Sequence, residues 1–264
     1  MTVAELRAEF LRLHESGCFV MPNVPDAGSA RLVAEAGAVA LATTSSGFAA
    51  TLGRKDMTVT RQQLVAHVRA VTADLRVPLS VDAERCFADD PEGVAETVEL
   101  LAAAGAAGCS IEDWDPAAGR IDPLDDAVAR VAAAAGVARS QGMVLTARCE
   151  HHIRGVDDLD GTVRRLAAYH EAGAEAIFAP GIRDLDSVRA VVAIGAPVSV
   201  LVMPGSPSVP ELADVGVRRI SVGGMLTWTM YGALVANARH LLEHGTLDES
   251  LALVDRALMQ RAFA

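Results

Sequence analysis

The chain has 264 residues, of which 51% are apolar and only 4% aromatic, so it can bury a sizeable core. Its 34 acidic and 23 basic residues give a net charge of −11, which argues against nucleic-acid binding, and no basic amphipathic segment indicates a membrane partner. Four cysteines without a C-x-x-C pair, and an N-terminus without the apolar core of a signal peptide, favour the reducing cytoplasm.

Short apolar runs alternate with helical patterns along the whole chain. Eight runs, mostly bounded by Gly, Pro or Asp, predict strands at residues 18–22, 39–44, 78–84, 108–112, 144–150, 176–180, 197–202 and 219–222. The apolar spacing between them predicts helices at 29–36, 60–74, 91–104, 125–140, 159–172, 185–194 and 209–215. Eight such units predict an α/β fold, a closed (β/α)₈ TIM barrel that residues 1–264 form as a single domain. An open doubly wound sheet is the alternative, but the first turn lacks the glycine pattern G-x-G-x-x-G.

The C-terminal part carries more helix than a barrel needs. Two helical patterns, at residues 225–244 and 247–261, follow the eighth predicted strand. One helix suffices to close a barrel, so residues 225–264 are predicted to include an additional C-terminal helix. That helix would cover either its own barrel or the barrel of a partner subunit.

Acidic side chains end two neighbouring predicted strands. The active site of a barrel lies at the carboxyl ends of its strands. Asp82 and Glu84 end the third strand on one face, by alternation, and Glu112 points inward at the end of the fourth. Carboxylates that face the same way repel each other unless a cation lies between them, and Mg²⁺ prefers such oxygen ligands. The alternative is helix capping or pairing with arginine.

Two further features favour a site for a small anion. Arg148, inward at the end of the fifth strand, can hold a substrate carboxylate, or it can form a structural ion pair with Glu112 or Glu150. The hydroxyl run at 43–47 can hold a carboxylate or phosphonate, or it can be a plain surface turn. Lys55, the only lysine, lies in a polar stretch, which argues against Schiff-base aldolase chemistry.

Seven segments, in this order, resemble the isocitrate lyase / phosphoenolpyruvate mutase family: 17–23, 26–31, 42–47, 81–84, 111–113, 146–150 and 221–224. The resemblance implies a barrel whose eighth helix swaps between subunits, giving a homodimer or homotetramer. It also implies Mg²⁺, with Mn²⁺ as the alternative ion. The ion would be held by Asp82, with Glu84 and Glu112 in the inner or water-mediated shell.

The resemblance assigns substrate-binding and catalytic residues as well. Thr44, Ser45 and Ser46 would line the site of the substrate's carboxylate. Arg148 would contact the substrate, and it is predicted to act in catalysis together with Glu112 and Asp56. Asp56 matches the acidic residue on a mobile loop that closes over the ligand in the family.

The chain departs from the family at a position that bears on the reaction. Lyases of the family carry K-[KR]-C-G-H after strand four, whereas residues 114–120 here contain no Lys, Cys or His. The mutases also place Lys and Asn there, and the lyases have a Glu after strand six, where this chain has Ala179 and Pro180. These departures argue against isocitrate cleavage and weaken phosphorus–carbon chemistry.

The predicted function is therefore a Mg²⁺-dependent lyase or decarboxylase that forms an enolate from a small 2-oxo acid or related carboxylate. One alternative is a phosphonate enzyme of the phosphoenolpyruvate mutase or phosphonopyruvate hydrolase type. Another is a metal-free isomerase that binds phosphate on the backbone of residues 221–224. A third is a non-catalytic barrel that binds a metabolite.

Overall fold

The computed structural model describes residues 1–248 and 250–264. Its strands are β1 (Phe19–Val20), β2 (Leu41–Ala42), β3 (Leu79–Asp82), β4 (Gly108–Glu112), β5 (Trp114–Asp115), β6 (Arg120–Ile121), β7 (Val144–Arg148), β8 (Ala176–Phe178), β9 (Val198–Leu201) and β10 (Arg219–Ser221). Eight of them form one parallel sheet in the order β1-β10-β9-β8-β7-β4-β3-β2. A parallel bridge between Asn23 and Ala42 joins the two ends of this sheet. The curled, closed sheet confirms the predicted (β/α)₈ architecture and rules out the open alternative.

Helices surround the sheet, as the alternating pattern predicts. They are α1 (Val3–Leu13), α2 (Ala27–Glu35), α3 (Ser45–Thr51), α4 (Arg61–Thr72), α5 (Pro91–Ala103), α6 (Leu124–Gln141), α7 (Leu159–Glu171), α8 (Leu185–Val192), α9 (Val209–Asp214), α10 (Met225–His244) and α11 (Arg256–Ala262). Their ends follow local chemistry: Thr60 and Gln63 form a capping box for α4, and Asp90 caps α5 ahead of a proline. Within the described ranges, no helix is long and apolar enough to cross a bilayer.

Three elements were absent from the prediction. The first, α1, was not predicted, although Thr2 and Glu5 form a capping box and Leu6 and Phe10 lie one turn apart on its buried face. The second, α3, begins inside the hydroxyl run predicted as a loop. The third is the hairpin of β5 and β6, which occupies the stretch after strand four.

The last predicted helix is too long. A helix was predicted over 247–261, but the last helix is α11, which begins only at Arg256, where the side chain of Asp255 accepts a hydrogen bond from the backbone N–H of Leu258 at 2.8 Å. Oδ1 of Asp248 instead accepts a hydrogen bond from the backbone N–H of Ser250 at 2.8 Å. Glu249 lies outside the described residues.

The main core lies between the sheet and the helices. Outward-facing strand residues such as Val81, Ile111 and Leu145 pack there and are buried. The inner face of the barrel differs from that of most barrels, whose interiors are filled with branched apolar side chains. Buried polar residues from five strands face inward here: Ser80, Ser110, Thr146, Ser199, Arg219 and Ser221. These mostly small side chains leave open space inside the barrel.

Candidate active site

A cavity of about 260 Å³ extends into the barrel from the carboxyl ends of its strands. Its wall includes six predicted site residues: Thr44, Ser45, Ser46, Asp56, Asp82 and Arg148. Glu84 and Glu112 do not line this cavity. Glu84 lies just beyond β3, and Glu112 reaches Arg148 from the end of β4. The structure therefore gathers the predicted residues at one mouth of the barrel, six on the cavity wall and two behind it.

Arg148 is the centre of the charge network at this mouth. Its Nη1 lies 3.0 Å from Oδ1 of Asp82 and 3.2 Å from Oε2 of Glu112, and its Nη2 lies 2.8 Å from Oε1 of Glu150. Burial lowers the pKa of Arg148, but Glu150, Glu112 and Asp82 together raise it above its usual value. The ion pairs weighed for this residue in the sequence are thus present, with Asp82 as a further partner. One N–H of Nη2 takes no part in these contacts.

Asp82 is fixed between the hydroxyl segment and Arg148. Its Oδ2 accepts a hydrogen bond from the backbone N–H of Ser45 at 2.9 Å. Its own backbone N–H donates to Oγ1 of Thr43 at 2.9 Å. Because both neighbours belong to the segment after β2, the position of Asp82 is coupled to the predicted carboxylate site.

Glu84 is held by a strained turn, which corrects the prediction that it shares a strand face with Asp82. Strand β3 ends at Asp82, and Glu84, Cys86 and Phe87 have φ values of 50°, 59° and 55°. Among the described residues, only one other non-glycine residue, Met57 beside Asp56, has a left-handed backbone. Such strain costs free energy and recurs at functional sites.

A buried arginine holds this turn in place. The guanidinium of Arg130, from α6, donates to the backbone carbonyls of Arg85, Ala88 and Asp89. Oγ1 of Thr97 donates to the carbonyl of Cys86 at 2.7 Å. These contacts satisfy carbonyls that the turn withdraws from regular structure, and they offset part of its strain.

The carboxyl groups of Glu84 and Glu112, near Asp82, lack enough neighbouring positive charge to favour their ionised form. Burial, followed by the charges of Asp82 and Asp56, raises the pKa of Glu84 to about 8. Burial also raises the pKa of Glu112 well above its usual range, and Oε1 of Glu112 has no hydrogen-bond partner. Within the described part of the chain, neither Glu84 nor Asp56 forms an ion pair. A cation would therefore stabilise this mouth.

The carboxylates at this mouth could hold a hydrated divalent ion, but they could not enclose an ion without water. The described residues include no cluster of three or more His, Cys, Asp or Glu side chains that could enclose an ion. Mg²⁺, however, is usually bound by one or two carboxylates and keeps several waters. Asp82 on the wall, Glu84 without a counter-ion and the orphaned Oε1 of Glu112 are oxygen donors of that kind. These oxygens suit an Mg²⁺ ion that keeps most of its water ligands, and they are too few to coordinate the ion alone.

The predicted hydroxyl loop begins a short helix. Thr44 caps α3, with Oγ1 accepting from the backbone N–H of Gly47 at 3.4 Å, and this oxygen lies 3.2 Å from Oγ of Ser46. Thr44, Ser45 and Ser46 remain on the cavity wall, beside Gly224 after β10.

Sequence reasoning missed two arginines: one pairs with carboxylates behind the cavity wall, and the other lines the cavity. Arg154 lies 3.4 Å from Oε2 of Glu150 and 3.9 Å from Oε1 of Glu112, with its guanidinium 4.3 Å from the ring centre of Trp114 in the β5–β6 hairpin. No pattern in the sequence indicates this contact. The second, Arg219, lines the cavity from β10. Alternation with Ser221 would have placed it on the inward face.

The backbone after β10 is already engaged. The N–H groups of Val222 and Gly223 both donate to Oδ1 of Asn23 at 2.9 Å. Two amides of the predicted phosphate-binding segment 221–224 are therefore not free for a ligand. This observation argues against the metal-free isomerase.

Fold and site together define a (β/α)₈ barrel whose cavity is acidic and arginine-bridged at the carboxyl ends of its strands. A family model described as phosphoenolpyruvate phosphomutase matches residues 10–242, and the chain belongs to this family. It thus falls in the phosphoenolpyruvate mutase/isocitrate lyase superfamily, which confirms the resemblance seen in the sequence.

Similar proteins carry the names of different reactions. Oxaloacetate decarboxylase of Paraburkholderia xenovorans is 32% identical over 250 residues, which cover 89% of this chain and 81% of that protein. A Burkholderia cenocepacia structure, provisionally assigned as a lyase/mutase, has a TM-score of 0.93 at 43% identity, covering 99% of this chain and 96% of that one. Another from the same organism, provisionally assigned as a phosphonomutase, has a TM-score of 0.86 at 36% identity, covering 92% and 100%.

Proposed function

We propose that this protein is a Mg²⁺-dependent lyase or decarboxylase that cleaves a carbon–carbon bond of a small 2-oxo acid and forms an enolate. One observation carries the proposal: Asp56 and Asp82 line one cavity, Glu84 lies two residues beyond Asp82, and neither Asp56 nor Glu84 forms an ion pair among the described residues. The similarity to an oxaloacetate decarboxylase over most of both chains supports this choice of reaction.

The substrate is proposed to bind between the hydroxyl segment and Arg148. Thr44, Ser45 and Ser46 would donate hydrogen bonds to its carboxylate, as hydroxyl groups at a cavity wall can. Arg148 would donate through the N–H of Nη2 that its carboxylate partners leave free. Asp56, on the exposed segment between α3 and α4, would orient the substrate or move a proton.

The chemistry needs stabilisation of negative charge beside the carbonyl group. Mg²⁺ or Mn²⁺, held by Asp82 with Glu84 and Glu112 directly or through water, would supply a Lewis acid at the keto and carboxylate oxygens. When oxaloacetate is decarboxylated, the bond to the departing CO₂ breaks and its electron pair stays on the remaining three-carbon fragment as an enolate. The positive charge of Arg148 stabilises that enolate, and its three carboxylate contacts fix it in place beforehand, so little reorganisation is required. Asp56 would then deliver the proton that converts the enolate to the 2-oxo product.

Turnover of oxaloacetate against phosphonopyruvate, with Mg²⁺ and with EDTA, tests this proposal. We expect Mg²⁺-dependent conversion of oxaloacetate to pyruvate that EDTA abolishes. Asp82→Asn should lower kcat/KM by at least about 100-fold. The matched control is Asp74→Asn, since the Asp74 side chain is 70% exposed. Unchanged activity of the Asp82 variant would rule out the metal assignment.

The phosphonate enzyme remains the second candidate, because a relative at 36% identity is provisionally assigned as a phosphonomutase. Turnover of phosphonopyruvate without turnover of oxaloacetate would favour it. Binding of Mg²⁺ without turnover of either compound would instead favour the non-catalytic barrel.

The proposed assembly is a homodimer or homotetramer in which α10 packs on a partner subunit. In this helix of 20 residues only Thr227 is buried, although much of its surface is apolar. A helix that is apolar on several sides is normally buried. An exchanged C-terminal helix would bury these side chains.

A further inference from the structure

Arg219 lies at the start of β10, on the inner face of the barrel, and lines the same cavity as Asp82 and Arg148. It is only 3% exposed. Its Nε donates to Oγ of Ser199 at 3.1 Å, and its Nη2 donates to Oγ1 of Thr146 at 2.9 Å. Its Nη1 lies 3.3 Å from Nε2 of His14. A guanidinium has five N–H donors, so these three contacts leave two of them unused.

The charge of Arg219 has no counter-charge in the described ranges, since all three of its partners are neutral. Burial lowers the pKa of Arg219 to about 10, so it remains protonated at neutral pH. Burial, followed by the charge of Arg219, lowers the pKa of His14 to about 3, so His14 is a neutral imidazole. Nδ1 of His14 lies 2.7 Å from the carbonyl of Phe10, which assigns the proton to Nδ1 and leaves Nε2 to accept from Arg219.

A buried, unpaired charge is costly, and proteins generally pair such a charge or use it to bind a ligand. Arg148 shows the contrast within one cavity, because three carboxylates surround it. Arg219 has only neutral groups, yet it faces open space. The cavity thus has an acidic mouth and a cationic floor.

The wall of the cavity that Arg219 lines also carries hydroxyl groups. Besides Ser199, the hydroxyls of Ser80, Ser110 and Ser221 line the cavity and are buried. Hydroxyl groups can donate to an anion, whereas the branched apolar side chains of an ordinary barrel core would exclude one. Small side chains also leave the volume that a bound group needs.

We propose that Arg219, together with serine hydroxyls of the same cavity, forms a second, buried anion subsite that binds a carboxylate group. The ligand is then a small dicarboxylate, with one carboxylate at the mouth and the other at Arg219. The assignment of the mouth end rests on the proposed function, but the subsite on the floor does not.

Calorimetric titration of the protein with sodium malonate, in EDTA, tests the subsite without metal or turnover. We expect malonate to bind the wild-type protein and to bind Arg219→Met at least about tenfold more weakly. Arg218→Met is the matched control, because the neighbouring Arg218 donates to the carbonyl of Gly17 and does not line the cavity. Equal malonate affinity of the two variants, or no binding to wild type, would overturn the proposal.

Loss of folding in the methionine variant is not expected, because replacing a buried charge by an apolar side chain of similar size is often neutral or stabilising. A measurement on wild-type protein alone gives an independent test. At matched ionic strength, malonate should raise the Tm more than acetate does. An equal shift by the two anions would contradict a subsite specific for the dicarboxylate.

The two proposals can fail separately. If no 2-oxo acid is turned over but malonate binding depends on Arg219, the reaction is wrong and the subsite stands. If oxaloacetate is turned over and Arg219→Met leaves both its KM and malonate binding unchanged, the subsite is wrong and the reaction stands.

Discussion

Arg148 and Arg219 share a cavity, but their surroundings give them different tasks. Contacts of 3.2 Å or less to three carboxylates hold Arg148 in one position, which suits a group that must already be in place when charge develops. Arg219 has only neutral partners and two unused donors, which suits a group whose counter-charge arrives with the ligand. A dicarboxylate between the two arginines would be oriented because Arg219, which lacks a counter-charge, attracts one carboxylate more strongly than the already paired Arg148 does.

His14 should make the folded state sensitive to acid. Its pKa is about 3 in the folded protein, against 6.5 for an unperturbed histidine. Between these values the unfolded chain binds a proton that the folded protein does not. Stability is therefore full above pH 6.5 and falls as the pH drops towards 3, by at most ~1.4 kcal/mol per pH unit.

Urea unfolding between pH 7 and pH 4 measures this contribution. His14→Gln keeps an acceptor for Arg219 but cannot titrate, so its free energy of unfolding should fall less steeply with acid than that of wild type. His170→Gln, at an exposed position on α7, should follow the wild-type curve. Parallel curves for wild type and His14→Gln would contradict the prediction.

At the level of elements, the barrel could be predicted because its strands are short apolar runs with clear boundaries, and all eight are present. Helix α3 was missed because Ser45, Ser46 and Gly47 have low helix propensity and read as a turn. Tertiary contacts, including the close approach of Thr227 to Gly47, override that preference. The hairpin of β5 and β6 was missed because two-residue strands carry too little pattern.

The candidate site was predictable to the extent that it follows strand alternation. Asp82 and Arg148 lie where the inward face of their strands ends, and both line the cavity. Alternation fails for Glu84, because the chain leaves the strand at Asp82 and turns through left-handed backbone. The neutral surroundings of Arg219 depend on His14, which follows α1, and on residues from β7 and β9, and no local pattern reveals such contacts.

The position of α3 depends on a close approach that only glycine permits. A Cβ atom at Gly47 would lie 2.5 Å from Cγ2 of Thr44 and 2.6 Å from Oγ1 of Thr227. Gly47→Ala should therefore displace α3 from α10 and move the hydroxyl groups of Thr44, Ser45 and Ser46. We expect the substrate KM to rise by more than about tenfold and the Tm to fall.

The matched control is Gly136→Ala in α6, an exposed helical glycine where an added Cβ meets nothing within 4 Å. Because alanine is the better helix former, this variant should gain up to ~1 kcal/mol of stability and keep its KM. A Gly47 variant with the KM of wild type would show that α3 does not position the substrate site.

For the whole molecule, α10 connects the cavity with the proposed assembly. Trp228 lines the cavity but is 53% exposed, and Thr227 of the same helix packs against α3. A partner that covers α10 would therefore also cover one wall of the cavity. Assembly and ligand binding should be coupled through this helix.

Light scattering after size-exclusion chromatography tests the assembly. We expect a mass at least twice the 27.5 kDa of one chain. Leu234 and Leu242, 62% and 85% exposed on α10, should contact the partner, so a variant with both replaced by glutamate should be monomeric. In the control, Val3 and Leu11, exposed on α1, are replaced by glutamate, and the oligomer should persist.

Because the partner would cover a cavity wall, the monomeric variant should also bind malonate more weakly. A monomeric wild-type protein would contradict the proposed helix exchange, and a monomeric variant with unchanged malonate affinity would contradict the coupling.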